Sequence, residues 1–218
     1  MQGAVPRVTV MGMLEPARRG RYHHGDLRTA LIDAAIDLLA ERGVAGFSLA
    51  EVSRRLGVTA GAPYNHFADR EELLAAVGVR AFEALTAAIG EGAAQASVPA
   101  EQLAASARSY IEFAAGHRPL FDALFGGGLD KGRHPELAAA AQLLAEAFIG
   151  PARTICDGDK GAAEELALAV AATAHGHATF LLFDEASGPD ADAVAVAAAR
   201  AARVTLALVA AARPLSPG

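Results

Sequence analysis

The stretch Thr59-Ala60-Gly61-Ala62-Pro63-Tyr64-Asn65-His66-Phe67 gathers side chains whose chemistry is recognition rather than catalysis. The Asn65 amide can donate and accept at once, as the edge of a base pair demands, and it can also hold a phosphate. Tyr64 and His66 end in polar tips suited to phosphate oxygens, while Ala60, Gly61 and Ala62 are small enough to let a backbone approach a duplex. Ahead of the first periodic segment, Arg18, Arg19 and Arg21 stand with His23 and His24 in one short run. Such a local cationic arm can enter a minor groove or meet a phosphate; the plainer reading is a solvated tag.

Other constellations yield less. His175 and His177 are two apart, so on a helix they point to different faces, whereas a metal pair needs i, i+4 spacing. For one of them a buried, hydrogen-bonded imidazole is the simpler expectation. Gly126-Gly127-Gly128 lacks the Gly-Lys-Ser/Thr that cradles a phosphate and reads as a loop between helices. Asp157 and Asp159 flank a glycine without a full set of calcium ligands, and Cys156 has no Cys-His arrangement with a third orienting group. No catalytic residue, metal or cofactor is therefore expected.

Hydrophobic residues make up 53% of the 218 and charged ones 20%. That excludes a disordered chain, a collagen-like repeat and a disulfide scaffold. A single cysteine can form no internal bridge, and with no charged-then-apolar leader a reducing, cytoplasmic setting is expected. The most apolar stretch, Ala191 to Ala212, is long enough to span a bilayer but carries Asp192, Arg200 and Arg203 and is mostly alanine. It reads as a buried helix of a soluble protein, with no membrane partner. The net charge of −6 argues weakly against nucleic acid, but its distribution does not. Residues 1–80 hold ten Arg against nine acids, and the remainder nine basic residues against sixteen acids, so the first third is near neutral and the rest acidic.

Residues 1–20 show no period of 2 or 3.6 and are expected to be a disordered arm. From Leu27, apolar residues recur at Leu31, Ala34, Ala35, Leu38 and Leu39, giving a helix that ends at Arg42 with Gly43 in a left-handed cap. Ser48 and Glu51 form a capping box and Phe47 and Val52 a hydrophobic staple, so a two-turn helix runs from Leu49 to Leu56. Gly57 stops it, and Val58 to Gly61 turn the chain into another short helix through Phe67. Asp69, with Glu72 as reciprocal partner, caps a longer helix carrying Leu73, Leu74, Val77, Phe82 and Leu85. Further helices are expected near 99–116, 117–125, 135–155, 161–184 and 189–212, about nine in all. With no period-2 run, the fold class is all-α: a helix-turn-helix unit over 21–68 and a helical domain over 69–218. Two short helices around a glycine turn fit a DNA reader, and the same spacing fits an ordinary helical hairpin in a bundle.

The residues themselves add to the spacing. Gly57 to Phe67, followed by Asp69-Arg70-Glu71-Glu72-Leu73-Leu74, resembles the signature of the TetR/AcrR family of bacterial transcriptional regulators, as do Ala34-Ala35, Leu38-Leu39 and Gly43. Ala174-His175-Gly176-His177-Ala178 with Phe180-Leu181-Leu182 resembles one C-terminal subgroup that usually has Trp in place of Ala174. The resemblance implies that Ser48, Tyr64, His66 and Arg70 hold the DNA backbone and that Thr59, Ala60, Ala62 and Asn65 read sequence. Close relatives often have His or Arg at the positions of Ala60 and Asn65, so reading here is expected to lean on DNA shape and on Arg18, Arg19 and Arg21.

It also implies a helical ligand-binding and dimerisation domain. The aromatics concentrate between residues 82 and 125, and Phe82, Phe113, Phe121, Phe125, Tyr110, His117, Arg118 and His175 are the candidate contacts for a small, largely apolar effector. The last two helices are the natural homodimer face. A dimer would set two reading elements about 34–36 Å apart, or a multiple of one turn, on a near-palindromic double-stranded operator. Repression relieved by the effector is the expected mode. The competing classes are a regulator controlled by a protein partner and an enzyme in the helical domain.

Overall fold

The computed structural model describes residues 27–125, 129–183 and 189–212. The arm residues Arg18, Arg19 and Arg21 lie outside them, as do His23 and His24. Among the described residues the chain forms α1 (Leu27–Arg42), α2 (Leu49–Leu56), α3 (Arg70–Ala93), α4 (Pro99–Gly116), α5 (Arg118–Phe125), α6 (Pro135–Ile155), α7 (Lys160–Phe183) and α8 (Ala191–Ala212). Among the described residues two 3₁₀ turns, Val44–Gly46 and Ala62–Asn65, link the first three helices, and no strand is present. The architecture is all-α, as the sequence indicates. The difference lies between Thr59 and Phe67, where a 3₁₀ turn stands in place of a short α-helix. The turn closes through i→i+3 bonds, from the Ala62 N–H to Thr59, Tyr64 to Gly61 and His66 to Pro63.

These residues divide into two compact units, one of which comprises 27–82, 117–125 and 129–141. Its core is set by the helical period of α1, which buries Leu31, Ala35, Leu38 and Leu39, and by Phe47, Val52, Phe67, Leu73, Leu74 and Val77. The turn after α1 begins at Gly43, where φ is +66° and ψ is −179°. The positive φ is the expected one, but ψ is extended rather than left-handed, a region that only glycine enters without strain. The staple residues Phe47 and Val52 are both buried.

The second unit comprises 83–116, 142–183 and 189–212. Here α4, α7 and α8 pack together on small residues: Ala104, Ala107 and Ala114 of α4, Ala163, Ala167, Ala174 and Ala178 of α7, and Ala198, Ala201 and Ala202 of α8 are all buried. Alanines let helix axes approach closely, and larger residues such as Leu103, Ile111, Val170 and Val209 fill between them. The tightest approach is at Gly92 of α3, where an added Cβ would lie 2.1 Å from Ser109 Oγ. Gly92→Ala is expected to push the Ser109 hydroxyl out of its rotamer and to destabilise the protein by less than about 1 kcal/mol in thermal unfolding, because the helix propensity that alanine gains offsets part of the strain. Adding Ser109→Ala should recover most of that loss; no recovery would place the strain elsewhere.

Helix α8 departs from its expected burial. Its buried residues, Ala198, Ala201, Ala202, Thr205 and Val209, lie on one side, while Val196, Val204 and Leu206 are exposed. On α7, Leu168, Phe180 and Phe183 are 71%, 84% and 81% exposed. By length and composition alone α3, α7 and α8 are each apolar enough to cross a membrane.

Candidate nucleic-acid interface

Two helix caps hold the candidate reading turn. At the start of α2, Ser48 Oγ accepts from the Glu51 N–H at 3.3 Å, the capping bond that the sequence specifies. The Glu51 carboxylate is drawn to Arg42 at 2.6 Å and Arg54 at 3.0 Å, and these cations, Arg54 first, hold it below the usual carboxylate range. At the far end Gly57 is left-handed (φ +68°, ψ +27°). Its N–H donates to the Arg54 carbonyl, and the Val58 N–H donates to the Ser53 carbonyl. This paired closure is a Schellman motif, which only a residue tolerant of positive φ can complete.

The chain then enters the 3₁₀ turn. The Ala62 N–H donates to Thr59, Tyr64 to Gly61, and both His66 and Phe67 to Pro63. Pro63 and Phe67, four apart, are buried and anchor the turn. Anchoring that side leaves Thr59, Ala60, Tyr64 and Asn65 in solvent, with Tyr64 60% exposed, and Ala62 and His66 half-buried. A tyrosine so exposed has no packing role to explain it, and its hydroxyl and the Asn65 amide stand ready for an external partner. Arg28 of α1 lies over the Phe67 ring at 5.1 Å and holds the end of the turn in place.

Arg70 has a second use that its sequence position does not disclose. Its Nε donates to the Phe47 carbonyl at 2.9 Å, Nη2 donates to the Val44 carbonyl, and the guanidinium lies over the Phe47 ring. It ties the first residue of α3 to the α1–α2 turn and keeps Nη1 for another acceptor. Asp69 caps α3 through the Glu72 N–H at 2.9 Å, while the Glu72 carboxylate reaches back to the Ala68 N–H, one residue before the expected partner. Arg54, its side chain 70% exposed, is a basic group of this unit that the sequence reading leaves unassigned; the Arg54-Arg55 pair is the signal for it. Arg55 itself is committed to Glu41 at 2.7 Å and Asp37 at 3.5 Å.

The candidate effector contacts fall into two sets. In the unit that carries the reading turn, Phe82 meets Phe125 edge-on at 6.5 Å and Phe121 meets Phe125 at 4.9 Å. His117 starts α5 by accepting from Leu120 and Phe121, and Arg118 pairs with Asp122 at 3.6 Å. In the other unit Phe113 is buried, and the Tyr110 hydroxyl shares a hydrogen bond of 2.9 Å with His175 Nδ1 across 65 residues of sequence. His177, on the next face, donates from Nδ1 to the Thr173 carbonyl. Among the described residues no three His, Cys, Asp or Glu side chains converge as a metal site would require.

Burial pushes the Tyr110 phenol up and the His175 imidazole down from their ordinary values. Below about pH 6.5 the unfolded chain binds a proton that folded His175 resists, and above about pH 10 the unfolded phenol ionises while Tyr110 resists. The melting temperature is therefore expected to fall on the acid side through His175 and on the alkaline side through Tyr110, with Cys156, whose thiol burial and then Asp159 and Asp157 push up, adding to the alkaline fall. Tyr110→Phe should lessen the alkaline fall and leave the part owed to Cys156; an alkaline limb wholly unchanged would contradict this assignment.

Residues 31–77 match the model for bacterial regulatory proteins of the tetR family. The HTH-type transcriptional regulator AcrR of Shigella flexneri is 34% identical over 61 residues, and SrpR of Pseudomonas putida is 38% identical over 61. The matched stretch is 28% of this chain and 28% and 29% of those proteins' lengths. Over a longer span, a solved structure of a protein of unknown function from Rhodococcus sp. RHA1 is 30% identical, with a TM-score of 0.67 over 84% of this chain and 97% of that one. The fold also matches FadR from Bacillus subtilis, solved in complex with stearoyl-CoA, at 16% identity and a TM-score of 0.65 over 83% and 96% of the chains.

Proposed function

Because this chain belongs to the TetR family of bacterial regulatory proteins, we propose that it is a transcriptional repressor that binds a near-palindromic operator as a homodimer and is released by a small, largely apolar effector. The observation that carries the reading is the row Thr59, Ala60, Tyr64 and Asn65, held in solvent on a turn locked by Gly57 before it and by Pro63 and Phe67 beneath it. In this reading Thr59, Ala60, Ala62 and Asn65 face base edges. Tyr64, His66, Ser48 and the remaining Arg70 donor hold phosphates, and Arg18, Arg19 and Arg21 add charge from the arm. Ser48 has spent an oxygen lone pair on its cap but keeps its hydroxyl proton for a phosphate.

The exposed apolar residues of α7 and α8 support a dimer through those helices, since a lone protomer leaves Leu168, Phe180 and Phe183 in water. Tyr110, Phe113 and His175 in one unit, and Phe82, His117, Arg118, Phe121 and Phe125 in the other, are the candidate effector contacts, each set in its own unit. The acyl chain of the stearoyl-CoA bound to the Bacillus subtilis protein is of the apolar character proposed for the effector. We place the protein in the cytoplasm, with no membrane partner and no enzymatic role. The effector acts by favouring a conformer in which the two reading turns no longer match the half-site spacing, and it weakens operator binding by its differential affinity.

Footprinting of the full chain on DNA upstream of its own coding sequence tests this. Two protected half-sites with centres about 34–36 Å apart, or a multiple of one turn, are expected. Binding that never favours one sequence over another would overturn the reading.

A further inference from the structure

Glu71, Gly78 and Phe82 follow at intervals of seven and four, so they lie on one face of α3. Leu129–His134 and the start of α6 run along that face within the same unit. At one end Glu71 takes Arg133 Nη1 on both carboxylate oxygens, at 3.0 and 2.8 Å, and His134 Nε2 at 3.2 Å. In the middle Gly78 leaves room for Leu137 and Leu129, whose methyls would lie 2.8 and 3.4 Å from an added Cβ. At the other end Lys131 Nζ stands 5.3 Å above the Phe82 ring. The segment is stiffened from within: Asp130 Oδ1 accepts from the Gly132 N–H at 2.8 Å, its carbonyl accepts from Arg133, and the Lys131 carbonyl accepts from His134. The His134 carbonyl then opens α6 by accepting from Ala138.

We propose that Leu129–His134 is a strap that fixes the first turn of α3, with Glu71 as the positioning residue for the reading head. Glu71 is the neighbour of Arg70, whose guanidinium holds the Val44 and Phe47 carbonyls. An unbroken series of contacts thus runs from the strap through α3 to the α1–α2 turn and the capped start of α2. The ionic anchor is partly exposed, with the Arg133 side chain 62% and the Glu71 side chain 35% in solvent, and such a pair is weak enough to open and close reversibly. Since α6 begins where the strap ends, a shift of α6 pulls on Glu71 and changes how firmly the reading turn is presented. The inference rests on the DNA-reading role proposed above and supplies its regulation.

The test is a double-mutant cycle with Glu71→Gln, Arg133→Gln and both together in the full chain. Hydrogen exchange of the α1–α2 turn and the first turn of α3 is read first, without DNA. Each single variant is expected to speed exchange there, Glu71→Gln about fivefold and Arg133→Gln less because His134 still holds Glu71, with the double no faster than Glu71→Gln alone. Exchange unchanged in the singles overturns the strap, as does a double whose effect is the product of the two. A purely stabilising pair would lower the melting temperature and leave this local pattern intact, which also overturns it. Operator affinity should show the same non-additive loss, and full affinity in the singles refutes the positioning role. A wild type that prefers no DNA sequence defeats the proposed function instead, and the exchange result still decides the strap.

Discussion

Replacing Phe180 and Phe183 together by Asp is expected to convert the proposed dimer to a monomer and to lower its affinity for the proposed operator about 100-fold or more. Both rings stand more than four-fifths in water in the single chain, and a buried phenylalanine removes about 150–250 Å² from solvent. At about 25 cal/mol per Å², two rings from each protomer supply a large part of what a dimer needs. Carboxylates at the same places would be buried without a partner, which association cannot tolerate. The two reading turns would then bind their half-sites separately, and the gain from tethering would be lost. Light scattering after size exclusion reads the first effect and operator titration the second. A variant that remains dimeric would move the interface away from the end of α7.

Arg70→Ala is expected to cost about 1–2 kcal/mol of stability, because the Val44 and Phe47 carbonyls lose a charged donor and Phe47 loses its cation. Operator affinity should fall about tenfold or more, since the turn between α1 and α2 presents the Ser48 cap and the guanidinium lost is the proposed phosphate donor. Arg70→Lys separates the two roles. It keeps a positive charge for a phosphate but not the planar fork that reaches two carbonyls. The lysine variant should therefore keep the salt dependence of the wild type while losing affinity and stability, whereas alanine lowers the salt slope by about one. Wild-type melting temperature and affinity in Arg70→Ala would refute the clamp.

The features legible in the sequence were those specified locally. Ser48 and Glu51 mark the start of α2, Gly57 its end and Asp69 the start of α3, because each cap is a bond between near neighbours. Helix limits such as Pro99–Gly116 and Pro135–Ile155 follow from breaks at Pro and Gly. Bonds between distant segments were not legible. Nothing in the spacing announces that Arg70 holds carbonyls 23 and 26 residues away, that Tyr110 meets His175, or that Arg133 and His134 converge on Glu71. The Glu51 carboxylate goes to Arg42 and Arg54, whose charges outcompete a backbone amide. At Thr59–Phe67 the composition suits recognition, but nothing in the spacing separates a 3₁₀ turn from a short α-helix. That α7 and α8 have a face for another chain was the sequence expectation, but which of their residues stay exposed was not legible, because an apolar, alanine-rich helix reads alike on both its faces.

The most direct measurement is equilibrium binding of the wild type and Tyr64→Ala to the footprinted operator and to a scrambled duplex, over a range of salt concentrations. The account predicts tight wild-type binding to the operator that weakens steeply with salt, much weaker binding to the scrambled duplex, and a marked loss of operator affinity in Tyr64→Ala. Equal, weak binding of both proteins to both duplexes at every salt concentration would contradict it and reduce the exposed turn to an ordinary helical corner.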